Sequence, residues 1–158
     1  MPDVSGVRKA VAALLALGPL LCGCGTGDRD DTTARAQENR QPTRWQDTQP
    51  EDYSFTLDSD CGERSLIGRF AVTVRAGEVT MVEGLDEPSR LMIDQGLSTE
   101  IPTISELLDE LAQARRDGAD RTDVVVDPSD GHPTRIDIDW KLDATDDEAC
   151  YRISDYTG

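Results

Sequence analysis

A turn that opens into an alternating segment constrains the fold of this chain more than any other stretch. Residues 127–134 are rich in Asp, Pro, Ser and Gly, residue types that favour tight turns. In residues 135–140 polar and apolar side chains then alternate, and Ile136, Ile138 and Trp140 fall on one face. A period of two is typical of a strand with one buried face. Because a run of valines precedes the turn, the sequence predicts an antiparallel hairpin.

The same alternation recurs along the chain and predicts further short strands. Ala76 and Gly77 separate two such segments, and glycine suits the positive φ of a tight hairpin turn. Strands are predicted over residues 53–58, 69–75, 78–82, 123–127, 135–140 and 149–156.

One strong helix signal interrupts the strands. Thr103 and Glu106 form a capping box directly after Pro102, and Gly118 marks the end of the helix. A shorter helix is predicted over residues 88–95. The apolar residues of the stronger helix share one face, namely Ile104, Leu107, Leu108, Leu111 and Ala114. These elements predict an α+β fold of two layers, in which one main amphipathic helix packs on an antiparallel sheet of about five or six strands.

The N-terminus carries an export signal. Arg8 and Lys9 precede the apolar run of residues 10–21, which is too short to span a bilayer. The run ends in Leu-Cys-Gly-Cys and resembles the bacterial lipobox, which implies that Cys24 becomes the new N-terminus and carries a diacylglycerol. Cleavage nearby as an ordinary secretory peptide is the alternative. We therefore expect an exported protein that is anchored to the cell membrane by lipid, with its domain on the extracytoplasmic side.

The chain divides into a predicted signal peptide, a tether and a domain. Residues 1–23 are the predicted lipoprotein signal peptide, and residues 24–50 are predicted to be a flexible polar tether because they are almost devoid of apolar side chains. Trp45 is the exception, and we expect it to pack at the edge of the core. Residues 51–158 form the α+β domain.

Two cysteines remain in the domain, Cys61 and Cys150. A cysteine pair in an exported domain indicates a disulfide. A loop of this length would stabilise the fold by about 4 kcal/mol on the chain-entropy model. Metal binding is the weaker alternative, since no CxxC spacing supports it.

Charge and motifs exclude several classes of function. The chain has 16 Lys and Arg against 32 Asp and Glu, a net charge of -16, which repels nucleic acid. It has one histidine and lacks both a Gly-x-Ser-x-Gly elbow and a phosphate-binding glycine loop. We therefore assign no catalytic residue, no metal ligand and no cofactor.

Two further hypotheses use the acidic side chains. Calcium, which takes oxygen ligands, could be held by Asp127, Asp130, Asp137 and Asp139, or by Asp143, Asp146, Asp147 and Glu148. Neither set has EF-hand spacing. A carboxylate-based hydrolase would need two carboxyl groups close together in a cleft. The aspartates also have a structural explanation, because Asp and Ser side chains cap their own turn.

The chain resembles a family of uncharacterised bacterial lipoproteins, the domain of unknown function 6174. Residues 53–57 and the hairpin around Ala76 carry part of the resemblance, and its sharpest motif is Asp127-Pro128 followed by Gly131-His132-Pro133 and the alternating strand. His132 stands where a Tyr is usual, which suggests an exposed planar side chain rather than imidazole chemistry. The resemblance implies topology and location, and no catalytic residue follows from it.

These observations favour a binding or interaction module at the cell envelope. Its partner would be an envelope protein or another envelope component. The predicted ligand surface combines the turn with the polar face of the strand that follows, namely Asp127, Asp130, His132, Arg135, Asp137 and Asp139.

Overall fold

The computed structural model describes residues 41–144 and 146–158. Within them, helix α1 (Gln41–Thr48) precedes strand β1 (Tyr53–Ser59), and the meander continues with β2 (Gly68–Arg75) and β3 (Glu78–Gly84). Helix α2 (Glu87–Asp94), a 3-10 turn (Leu97–Glu100) and helix α3 (Ile104–Asp117) follow. The chain ends with β4 (Arg121–Val126), β5 (Pro133–Asp139) and β6 (Glu148–Thr157).

The six strands form one antiparallel sheet in the order β3-β2-β1-β6-β5-β4. The first and last strands of the domain thus pair at the centre, and β3 and β4 are the two edges. Leu57 lies opposite Ile153 in the central pair. The predicted α+β class and the antiparallel sheet of about six strands are confirmed.

The helical layer contains more than one packed helix, so the prediction of one main helix is not confirmed. Helix α2 contacts β2 and β3, whereas α3 contacts β4 and β5. Both helices begin at a capping box, and the one at Thr103 was predicted from the sequence, whereas the one that Asp86 forms with Ser89 was not. Two helices are needed because a sheet of six strands is wider than one helix can cover.

The core lies between the sheet and the helices. Alternation predicted its strand residues correctly, as Phe70, Ile136 and Ile138 are at most 1% exposed. The predicted apolar face of α3 is buried as a whole. Trp140, which was also predicted to be in the core, is only half-buried and lies just beyond the end of β5.

Helix α1 lies inside the segment 24–50 that the sequence predicts to be a tether. Its Trp45 is 2% exposed and contacts the rings of Tyr53 and Tyr156 edge-on, with centroids 5.9 and 6.3 Å away. One large apolar side chain therefore joins this otherwise polar helix to the core, and the ordered structure begins before residue 51.

The predicted disulfide is present. Cys61 and Cys150 are bonded, with Cα atoms 5.5 Å apart. Cys61 follows the end of β1 and Cys150 lies in β6, so the bond crosslinks the central pair of strands. Among the described residues, no helix is long and apolar enough to cross a bilayer. The predicted signal peptide and Cys24 lie outside the described residues.

Candidate functional site

One face of the sheet is covered by the helices, and the other we call the open face. On β4, Val125 points to the open face and is 48% exposed, whereas Val124 points to the helical side and is 4% exposed. Met81 on β3 is 66% exposed and lies opposite Thr73 of β2. Because Val72 and Val74, which flank Thr73, are buried on the helical side, Thr73 and Met81 belong to the open face. Among the described residues, strand alternation therefore leaves much of this side of the sheet exposed.

Charged side chains form a row across the open face. Asp58 of β1 lies opposite both Arg69 of β2 and Arg152 of β6, and Arg152 lies opposite Arg135 of β5. Cross-strand neighbours on one face are close enough to interact. Arg135 also pairs with a carboxylate on its own strand, since its Nε lies 2.6 Å from Asp137 Oδ2. The open face thus carries positive groups within an acidic protein.

A shallow depression of about 260 Å³ marks the β4-β5 side of the open face. Arg135, Asp137 and Asp139, the strand residues of the predicted ligand surface, all line it together with Arg121 and Glu148. Arg121 lies opposite Asp139, and Asp139 lies opposite Glu148. The alternation of β5 therefore places three predicted site residues in one concave region of mixed charge.

The turn half of the predicted surface is a separate, tightly hydrogen-bonded unit. Asp127 Oδ1 accepts a hydrogen bond of 2.8 Å from the Ser129 amide, and the Gly131 amide donates to the Asp127 carbonyl at 2.8 Å. The Ser129 side chain and amide lower the pKa of Asp127. Such a carboxylate stays ionised, which does not suit a general acid.

His132 is not exposed as the resemblance implied. It is 8% exposed, and its ring stacks on Tyr156 with centroids 4.2 Å apart and planes 19° from parallel. Its Nδ1 lies 2.6 Å from Asp130 Oδ1, within hydrogen-bond distance. A planar side chain suits this position because it stacks on Tyr156 of β6. The sequence did not predict this burial, because Tyr156 lies 24 positions away along the chain.

The structure does not assemble either predicted set of calcium ligands. Within residues 41–144 and 146–158, the ligand atoms of Asp127, Asp130 and His132 lie within 4.8 Å of one another and form the one such group. Asp137 and Asp139 instead lie along β5 on the open face. Calcium prefers six to eight oxygen ligands. Two carboxylates and an imidazole nitrogen are too few oxygen ligands to match that preference.

A second polar cluster lies at the edge of the helical layer, and sequence analysis did not find it. The Arg64 guanidinium lies 5.4 Å from the Trp140 ring centroid and 5.8 Å from that of Tyr151. Its Nη2 is 2.6 Å from Glu110 Oε1, and the Tyr151 hydroxyl donates to Glu110 Oε2 at 2.8 Å. No periodic signal marks Arg64, because it lies in a loop between strands.

Burial controls the ionisation of the tyrosines in the core. It raises the pKa of Tyr53 to about 12, and burial followed by the neighbouring Glu110 carboxylate raises the pKa of Tyr151. Both hydroxyls therefore stay neutral near pH 7. The Arg64 cluster therefore has a structural role: it connects the loop of Arg64 to α3 and β6, and the Tyr151 hydroxyl donates a hydrogen bond to Glu110.

Comparisons with known proteins agree with the resemblance in the sequence. A comparison with curated proteins and one with solved structures each gave no match. A family model described as "Family of unknown function (DUF6174)" matches residues 36–158, which include every described strand and helix. The chain therefore belongs to the family of unknown function DUF6174.

Proposed function

We propose that this protein is an exported, lipid-anchored binding module that holds a cell-envelope protein or another envelope component on its open face. The observation that carries the proposal is a sheet face that no described helix covers, with its charged depression lined by Arg121, Arg135, Asp137 and Asp139. An antiparallel sheet can be covered by helices on one face only, and the second face can then make other contacts.

The charges of the open face support recognition by complementary charge. Arg121 Nε lies 2.7 Å from Asp123 Oδ2, and Arg135 Nε lies 2.6 Å from Asp137 Oδ2. Exposed pairs of this kind contribute little to folding, about 0–1 kcal/mol each. They are therefore available to exchange partners with a ligand that carries both signs of charge, and such recognition favours specificity over raw affinity.

The lipid anchor supports the same proposal. A diacylglycerol on Cys24 would keep the domain at the membrane, where a binding face has envelope partners at high local concentration. The polar residues that follow Cys24, up to about position 40, would then act as the spacer between the membrane and the domain. The proposal therefore has two parts that can be tested separately, the lipid anchor on Cys24 and the binding of an envelope partner by the open face.

The double variant Arg121→Ala/Arg135→Ala is expected to reduce partner capture from intact cells about tenfold, the factor that ~1.4 kcal/mol represents. The two side chains line the depression but lie outside the core. Capture is measured by chemical crosslinking on cells, affinity purification and mass spectrometry of the adducts.

The matched control is Arg90→Ala/Arg116→Ala, which removes the same charge from exposed helical positions. It should retain capture. A Cys24→Ala chain tests the anchor, because it should leave the membrane fraction. Equal capture by both double variants would refute the open face as the binding surface, and an unchanged membrane fraction for Cys24→Ala would refute the anchor.

A further inference from the structure

A second recognition surface lies at the opposite edge of the sheet. A groove of about 500 Å³ runs along residues 77–82, which form the end of the hairpin turn and most of β3, and its other wall is formed by residues of the 98–106 segment. Strand β3 is an edge strand, with β2 as its single neighbour in the described sheet. An edge strand beside a groove is the arrangement that binds extended peptides by strand addition.

The floor of the groove can receive apolar side chains. Val79 and Val82 are partly buried against the core, and Ile101 is 3% exposed. The register between β2 and β3 shifts so that Val79 and Met81 pair with successive residues, which leaves Thr80 as an extra residue. Such a bulge bends the edge locally, so the strand is not a flat template for uncontrolled pairing.

The charges of the groove select its occupant. Glu78 and Glu106 both line it, and no Lys or Arg does. Arg75 lies opposite Glu78 on β2 but is not part of the groove wall. Glu106 Oε2 accepts from the Thr103 amide at 2.7 Å, so the capping box fixes this carboxylate at the start of α3. The lining therefore favours a peptide with basic side chains.

A second copy of this chain fits the edge poorly. Strand β3 carries two carboxylates, Glu78 and Glu83, and no basic residue, so no pair of opposite charges would join two copies of the edge. Each chain also carries a net charge of -16, which opposes association of two copies.

We propose that the groove along β3 binds an extended, basic segment of another protein, which adds a seventh strand to the sheet. The groove shares Met81 with the open face, but its other wall is the 98–106 segment of the helical side, and none of its residues lines the charged depression. Main-chain hydrogen bonds to the edge provide affinity, and Glu78 and Glu106 provide the preference for basic residues.

The test uses the purified protein and a blocked, fluorescein-labelled heptapeptide of alternating lysine and valine. Fluorescence anisotropy measures binding. The variant Glu78→Gln/Glu106→Gln keeps a capping glutamine at position 106 and is expected to bind about tenfold more weakly. The control Glu87→Gln/Asp109→Asn removes two exposed carboxylates elsewhere on the helical side and should bind as wild type.

Hydrogen exchange shows whether the peptide pairs with the edge. At saturating peptide, amides of β3 should exchange about tenfold more slowly while those of β4, the other edge, remain unchanged. Equal weakening in the control variant, protection of both edges, or no binding at all would overturn the proposal. Protection of β3 that grows with protein concentration in the absence of peptide would identify a second copy as the occupant and would also overturn it.

The open-face variant Arg121→Ala/Arg135→Ala separates this site from the proposed function. It should bind the lysine-valine peptide as wild type does. If it loses the peptide, the two surfaces are not independent, and the groove assignment fails.

Discussion

Replacing Cys61 and Cys150 together with alanine is expected to lower the free energy of unfolding by about 4 kcal/mol and Tm by about 15 °C. The bond closes a loop with a sequence separation of 89. That loop contains β2 to β5 and all of α2 and α3, so the oxidised unfolded chain has far fewer conformations than the reduced one.

The position of the bond adds to this effect. It joins the end of β1 to β6, which pair at the centre of the sheet. Without it, the two three-stranded halves are held together by that one strand pair and by the helical layer. Urea unfolding of the oxidised protein, the reduced protein and the double variant measures the difference.

Reduced wild type and the double variant should unfold at the same urea concentration, and added reductant should not affect the variant. A loss below about 1 kcal/mol in both would contradict the entropic account, which predicts its largest values for long loops.

Trp45→Ala is expected to destabilise the domain by about 3–5 kcal/mol, the usual cost of removing a large buried aromatic side chain. Trp45 is 2% exposed and contacts Tyr53 and Tyr156. The loss is a large fraction of a typical domain stability of about 5–15 kcal/mol. Equilibrium unfolding in urea, followed by far-ultraviolet circular dichroism, measures it.

Arg44→Ala is the matched control, because Arg44 is the exposed neighbour of Trp45 on the same helix. Its effect should be within about 0.5 kcal/mol. Similar small values for both variants would show that α1 is not part of the folded core, and the folded domain would then begin at β1.

The sequence predicted the elements of this fold better than their arrangement. Alternation placed Phe70, Ile136 and Ile138 on the buried face, and the capping box at Thr103 marked the start of α3. These signals are local, since strand and helix periods depend on near neighbours. The order of the strands depends on contacts between distant segments, and the cysteine pair was the one clue to the β1-β6 neighbourhood.

The features that the sequence did not predict have the same physical origin. Helix α1 is largely polar and has no apolar period; Trp45 packs on the core, and Gln46 Nε2 donates to Asp109 Oδ1 at 3.3 Å. His132 is buried because Tyr156 of β6 supplies a ring to stack on. Trp140 packs against the core but is only half-buried, because β5 ends at Asp139 and the Arg64 guanidinium lies over its ring.

The candidate site was predicted in part. Arg135, Asp137 and Asp139 share one depression because a strand places alternate residues on one face. Asp127, Asp130 and His132 form their own hydrogen-bonded turn. Arg121 was missed as a member of the site, because only the register between β4 and β5 places it opposite Asp139.

The central claim is that the open face is the surface that meets a partner, and site-specific photo-crosslinking in intact cells tests it most directly. A photoreactive residue at Val125 samples the open face, and one at Leu91 samples an exposed apolar position on α2; these positions are 48% and 58% exposed. The account predicts a discrete crosslinked adduct from position 125 and none from position 91. Adducts of equal yield from both positions, or an adduct from position 91 alone, would contradict it.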